Sequence, residues 1–178
     1  MLAGILALVL VTQGATAGPP LSPVPHPAIA PRAGDATVLG TIGAEDANEI
    51  EVAKLVATKA SNGDLKTFAT LLLHDHQQSL TTGTDLAKQF RITRLLPADS
   101  AMARAHAQEM AELNVLTGAA FDKAFVQLEI DGHKAIVVKD SALLAQATRS
   151  QVKSFVRSLM PIHATHQDIA VKWLAAHP

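Results

Sequence analysis

The stretch 64–90 restricts the fold of this chain most, because its apolar residues recur with the period of an α-helix. With a turn of about 100° per residue, one side of that helix carries a single apolar face. The face is made of Leu65, Ala69, Leu72, Leu80, Gly83, Ala87 and Phe90. A long helix with one apolar face has to pack that face against other elements. The pattern therefore predicts a long helix that faces a hydrophobic core.

Five segments in all show helical patterning, and no strand-like alternation persists between them. The predicted helices span residues 45–60, 64–95, 101–116, 119–147 and 149–176. Asp46 is interpreted as a cap of the first helix, Pro97 ends the second, and Pro161 is expected to kink or split the last. Aromatic residues make up only 3% of the chain, which leaves few large side chains for a sheet sandwich. We predict an all-α fold, an antiparallel four-helix bundle with a short extra helix between the second and third main helices.

The chain divides into three predicted parts. Residues 1–17 have the pattern of a signal peptide, with a short apolar run before an Ala-Thr-Ala cleavage pattern. No Lys or Arg precedes the run, so a packed N-terminal helix is the alternative. Residues 18–44 hold six prolines and are interpreted as a disordered leader or linker, and residues 45–178 form one helical domain. The signal peptide predicts a periplasmic or secreted protein.

Composition excludes several kinds of site and partner. The chain has no cysteine, so neither disulfide bonds nor thiolate metal sites are available. Its net charge is −1 and its basic residues are scattered, which disfavours nucleic acid as a partner. The sequence contains no phosphate-binding loop, dinucleotide-binding glycine pattern, nucleophile elbow or H-E-x-x-H motif. We assign no catalytic residue, and any site is expected in the core of the bundle.

Two polar residues occupy unexpected places on apolar helix faces. His76 falls in the middle of the apolar face of the second predicted helix, and Glu49 shares a face with Ala53 and Val56 on the first. A buried polar group without a partner costs about 1–3 kcal/mol, so each should have one. For Glu49 the alternative is a position near a helix N-terminus, where the helix dipole favours negative charge.

The remaining histidines of interest lie on the later helices. His163 and His166 are three residues apart on the last helix, a spacing that suits either metal chelation or a packed hydrogen-bonded pair. His133 lies on a face of mixed character, and His106 is interpreted as packing at the end of the bundle. The metal ligands proposed from the sequence are Glu49, His76, His133 and His166.

Several short motifs, taken in order, resemble the bacterial DUF4142 family of exported proteins. They are Asn48-Glu49-Ile50, Asp75-His76, Gly118-Ala119-Ala120-Phe121-Asp122, His133, and Pro161 followed by His166. The resemblance implies a ferritin-like helical bundle in the periplasm or envelope. It also implies a set of recurrent polar residues, Glu49, Asp75, His76, Asp122, His133 and His166. The di-iron pattern of ferritin-like bundles is not expected, because Leu73 and His163 stand where Glu-x-x-His would need glutamate.

Two functions are favoured at this point, and small-molecule binding or an enzyme with a histidine-based acid/base site is the remaining alternative. The first is a non-catalytic envelope or stress-related protein, whose core glutamate and histidines form a buried hydrogen-bond network and whose surface meets an envelope protein partner. The second is a metal-binding bundle with a mononuclear Glu/His site in the core. Imidazole and carboxylate ligands suit a transition metal such as Zn or Fe, and also Ni or Cu, and ligand type alone does not choose between them.

Overall fold

Five α-helices make up the part of the chain that the computed structural model describes, residues 33–95 and 101–178. They are α1 (Ala33–Lys59), α2 (Gly63–Phe90), α3 (Ala101–Val115), α4 (Gly118–Gln146) and α5 (Ser150–Ala176). Three-residue connections fold α1 against α2 and α4 against α5, which forces each pair to be antiparallel. The two hairpins pack together through α2 with α5 and α1 with α4, and α3 lies in the longer connection between them. The predicted four-helix bundle with a short extra helix is confirmed.

The helix boundaries follow from local hydrogen bonding. Asn62 caps α2, because its side-chain oxygen accepts the backbone N–H groups of Asp64 at 2.8 Å and Leu65 at 3.3 Å. The helix ends at Phe90 because Arg91 adopts a left-handed conformation with φ of 53°. The predicted end at residue 95 is therefore wrong by five residues.

The first helix begins at Ala33, twelve residues earlier than the sequence predicted. Residues 33–44 had been assigned to the leader, yet Val38, Leu39 and Ile42 are buried core residues. Gly40 lets α1 pack closely against the backbone at Leu95, since a Cβ at Gly40 would stand 2.0 Å from the Leu95 carbonyl oxygen. The leader assignment is wrong for these residues. The signal peptide and the rest of the leader lie outside the described residues.

Two hydrophobic clusters occupy the two ends of the bundle. The first contains Val52, Ala53, Val56, Leu65, Phe68, Leu72, Phe121, Phe125, Val126 and Ala170. The second contains Val38, Leu39, Ile42, Leu143, Val152, Phe155, Val156 and Leu159. Between them, each main helix turns polar side chains into the interior. We call these residues the polar layer: Asp46, Glu49, Asp75, His76, Glu129, His133, Asp140, His163 and His166.

Pro161 does not split the last helix, because α5 runs without interruption from Ser150 to Ala176. The predicted split at Pro161 is therefore wrong. The continuous helix holds His163 and His166 on one inner face. No helix in the described part of the chain is both long and apolar enough to cross a membrane.

Asp35 ties the start of α1 to the connection between α4 and α5. Its buried carboxylate accepts hydrogen bonds from the backbone N–H and hydroxyl of Thr148, both at 2.7 Å, and from the Arg149 guanidinium at 2.6 Å. Burial alone would raise the pKa of Asp35, but these hydrogen bonds outweigh it and hold the pKa below its ordinary value of 3.8. The charged carboxylate therefore stabilises the folded state.

We expect Asp35→Asn to lower the free energy of unfolding at pH 7 by about 1.5–3 kcal/mol, because hydrogen bonds to a charged acceptor are lost. A carboxyl with a lowered folded-state pKa stabilises the fold above pH 3.8, and that contribution disappears as pH falls through its folded-state pKa. Urea unfolding at a series of pH values should show the gap to the wild type closing below pH 3.8. The exposed Asp131→Asn is the control. A gap that is independent of pH would contradict this account.

Candidate metal centre

Three imidazoles from three different helices meet in the middle of the polar layer. His76 comes from α2, His133 from α4 and His166 from α5, and each is at most 2% exposed. The ring centroids are 5.0 Å apart for His133 and His166, 5.5 Å for His76 and His166, and 6.0 Å for His76 and His133. Each ring offers one nitrogen, and these three nitrogens all lie within 4.8 Å of one another. We call this group the three-histidine cluster.

Carboxylates behind two of the rings determine which nitrogen carries the proton. His76 Nδ1 lies 2.9 Å from Asp46 Oδ1, and His166 Nε2 lies 2.9 Å from Asp75 Oδ2. A carboxylate oxygen can only accept a hydrogen bond, so in the neutral rings these two nitrogens carry the proton and donate it. The opposite nitrogens, His76 Nε2 and His166 Nδ1, then carry lone pairs.

The third ring is oriented in the same way by a backbone carbonyl. His133 Nδ1 donates to the Glu129 carbonyl oxygen at 3.2 Å, which leaves a lone pair on His133 Nε2. That nitrogen lies 3.2 Å from His166 Nδ1, and His76 Nε2 has no hydrogen-bond partner among the described residues. When no proton is shared between His133 Nε2 and His166 Nδ1, three lone pairs gather in one buried space, each on a ring whose other nitrogen is held by an oxygen acceptor.

Burial keeps all three rings neutral at physiological pH. It lowers the pKa of His76 to about 3, with further lowering by the neighbouring His133 and His163. Burial likewise lowers the pKa of His133, and it lowers that of His166 despite the opposing hydrogen bond to Asp75. Neutral imidazole is the form that binds metal ions, so this environment prepares the rings as ligands.

Glu49 does not join the three-histidine cluster. It belongs to a second group with Glu129 and His133, in which one ligand atom of each residue lies within 4.8 Å of the others. Burial, and then the charge of Glu129, raises the pKa of Glu49 to about 8, and burial together with Glu109 raises that of Glu129 to about 8. The structure thus divides the four ligands predicted from the sequence between two adjoining groups that share His133.

The other two histidines considered from the sequence lie at the edge of this region. His163 is buried beside the cluster, with its ring 5.9 Å from that of His76, but its Nδ1 bonds to Asp140 at 2.8 Å. It therefore does not form a chelating pair with His166. His106 is half-buried on α3 and bonds to Glu51 at 3.0 Å, so it joins α3 to α1.

Three acidic residues of the polar layer were missed or misjudged from the sequence. Asp46 was interpreted as a helix cap because the start of α1 was placed too late, although it shares a face with Glu49 three residues on. Glu129 and Asp140 lie four residues before and seven after His133, positions that share its helix face. The face of mixed character around His133 already includes Glu129, and extending it by one turn beyond Val137 would have found Asp140.

The bundle is similar to a solved structure of CopM in its Cu(II)-bound form. The two structures superpose with a TM-score of 0.66 at 18% sequence identity, covering 78% of this chain and 94% of that chain. At this identity the similarity shows a common fold. No curated protein sequence matches the chain.

The family described as Domain of unknown function (DUF4142) matches residues 21–172. The match covers most of the chain, runs from before α1 to residue 172 within α5, and confirms the resemblance drawn from the short motifs. The chain is a member of the DUF4142 family.

Proposed function

We propose that this protein binds a transition-metal ion through His76, His133 and His166. One observation carries the proposal: three buried imidazoles each place one nitrogen within 4.8 Å of the others, and His76 Nε2 has no hydrogen-bond partner among the described residues. Each imidazole is held from behind by an oxygen acceptor, the arrangement that orients histidine ligands in metal sites.

A hydrogen-bond network without metal accounts for this geometry less well. A proton between His133 Nε2 and His166 Nδ1 would satisfy those two nitrogens, but His76 Nε2 would still lack a partner. A partly satisfied buried network is less favourable than an apolar core, because unpaired polar groups lose hydration without compensation. One cation among the three nitrogens would satisfy all of them.

The distance between two of the nitrogens and the nearby carboxyl groups both suit a metal ion. Nitrogens bound to one ion at about 2.0–2.1 Å stand about 3.3–3.6 Å apart, close to the 3.2 Å between His133 and His166. Asp46 and Asp75 lie directly behind two of the rings. Burial raises the pKa of Asp46 to about 7, and a nearby cation would favour its charged form, so both carboxylates would compensate the charge of a buried ion.

Copper is the ion that we propose first. A site of nitrogen ligands generally binds Cu(II) more tightly than the other divalent first-row ions, and the bundle of similar fold, CopM, has a Cu(II)-bound form. Zinc and iron, which the sequence suggested, are the competing ions.

We expect His76→Gln, His133→Gln and His166→Gln each to weaken Cu(II) binding by about 100-fold or more. Loss of a residue that only hydrogen-bonds to a ligand typically costs about 10–100-fold in metal affinity, and loss of the ligand itself should cost more. The affinity is measured by titrating Cu(II) into the untagged full chain after a chelator has removed bound metal. Nitrogen coupling in the electron paramagnetic resonance spectrum reports whether imidazoles bind the ion. At 100 times Kd, binding should raise the melting temperature of the wild type by about 5–10 °C.

His74→Gln is the matched control, because His74 is an exposed histidine on the same helix as His76. It should bind Cu(II) as the wild type does. Wild-type protein that binds no Cu(II) or Zn(II), or cluster variants that bind as tightly as His74→Gln, would refute the proposed function.

We expect Asp46→Asn and Asp75→Asn to weaken Cu(II) binding by about 10–100-fold, because each carboxylate orients a ligand ring and compensates charge. The nitrogen coupling should persist, since the three rings remain. Asp85→Asn on the exposed side of α2 is the control. If Asp46→Asn and Asp75→Asn bind Cu(II) as tightly as Asp85→Asn does, the two carboxylates do not support the site.

We further propose that the protein acts outside the cytoplasm. The apolar run and Ala-Thr-Ala pattern within residues 1–17 support export, as does a cysteine-free composition that needs no disulfide formation. N-terminal sequencing of protein recovered from the periplasm or medium should begin at Gly18. Recovery from the cytoplasm with residues 1–17 intact would contradict export.

A further inference from the structure

A groove of about 420 Å³ opens to solvent between α1, α3 and α4. Its lining carries three carboxyl groups, those of Glu45, Glu49 and Glu109, together with His106 and Lys139. Glu45 pairs with Lys139, and acidic side chains outnumber the one lysine. The groove therefore presents carboxyl oxygens, which are ligand atoms for divalent cations, to solvent.

The inner end of the groove reaches the polar layer through Glu49. This residue lines the groove and also belongs to the group formed with Glu129 and His133. Glu129 is 2% exposed and its Oε2 accepts no hydrogen bond, although it lies 3.2 Å from His133 Nδ1. Burial raises the pKa of Glu129 to about 8, so a cation bound here would take the place of the proton on this carboxyl group.

We infer that Glu49, Glu129 and His133 form a second cation site, through which a divalent transition-metal ion passes from the groove to the three-histidine cluster. The inference rests on the proposed function for its end point. His133 belongs to both groups, so the two sites are occupied in turn and not together. The ion meets carboxylate oxygens first and imidazole nitrogens afterwards.

The order of ligands favours transfer in this direction. Carboxylates bind a broad range of divalent ions, whereas a set of three imidazoles selects ions such as copper and zinc. A site with two carboxylates and one imidazole should therefore hold Cu(II) more weakly than the three-histidine cluster does. The ion would move inward down a gradient of affinity.

The first test uses Cu(II) with the full chain and the Glu49→Gln variant. Glu49→Gln should slow Cu(II) uptake in stopped-flow measurements by about tenfold or more, since a carboxyl ligand of the outer site is removed. The tight equilibrium binding of the wild type should persist. Glu112→Gln, an exposed residue of α3 outside the groove lining, is the control and should load at the wild-type rate.

The second test removes the inner cluster and looks for the outer site alone. His76→Gln should retain a weaker Cu(II) equivalent at Glu49, Glu129 and His133, and the double variant His76→Gln with Glu49→Gln should lose it. Adding Glu112→Gln to His76→Gln instead should leave it unchanged. Circular dichroism establishes that each variant is folded, and Glu49→Asp replaces Glu49→Gln if the latter is not.

The outcomes separate this inference from the proposed function. If Glu49→Gln loads at the wild-type rate and residual binding in His76→Gln does not depend on Glu49, the transfer site is refuted while the three-histidine centre stands. If His76→Gln keeps full affinity and Glu49→Gln abolishes binding, the carboxylate site is real and the proposed centre is wrong. A wild-type chain that binds no metal ion refutes both.

Discussion

The polar layer, placed between two hydrophobic clusters, is the constraint on which the rest of this structure depends. Buried ionisable groups need partners, and here the partners come from different helices. Asp46 of α1 bonds to His76 of α2, Asp75 of α2 to His166 of α5, and Asp140 of α4 to His163 of α5. These bonds connect four helices at one level, so a slide of any helix along its neighbour would break them.

The burial that makes this layer energetically unfavourable also prepares it to bind a cation. Removing imidazoles from water lowers their pKa, which keeps the rings of the three-histidine cluster neutral and able to donate lone pairs. The adjoining Glu49 and Glu129 lose hydration in the same way, and the Oε2 atom of each accepts no hydrogen bond from the described residues. Polar groups of this kind are tolerated because the hydrophobic clusters at both ends supply the stability that the layer does not.

The fold class and the inward-facing histidines could be predicted from the sequence. Helical periodicity identified five helices, and the position of His76 among apolar residues correctly indicated burial. The prediction misses the start of α1 because it extends the Pro-rich leader to residue 44, whereas Gly34 and Gly40 lie in a helix where another part of the backbone approaches closely. Local sequence does not show that approach, and without it Asp46 was taken for a cap rather than the partner of His76.

The sequence by itself determined which side chains face inward, because helix phase depends only on the spacing of apolar residues along the chain. It also determined the available ligand types, since a chain without cysteine can offer only nitrogen, oxygen and thioether donors. Only the tertiary structure decided which inward-facing groups meet. Packing of α2 against α5 and of α1 against α4 grouped His76 with His133 and His166 and placed Glu49 beside Glu129. Axial register between helices is set by contacts far apart in sequence, and periodicity within one helix carries no information about it.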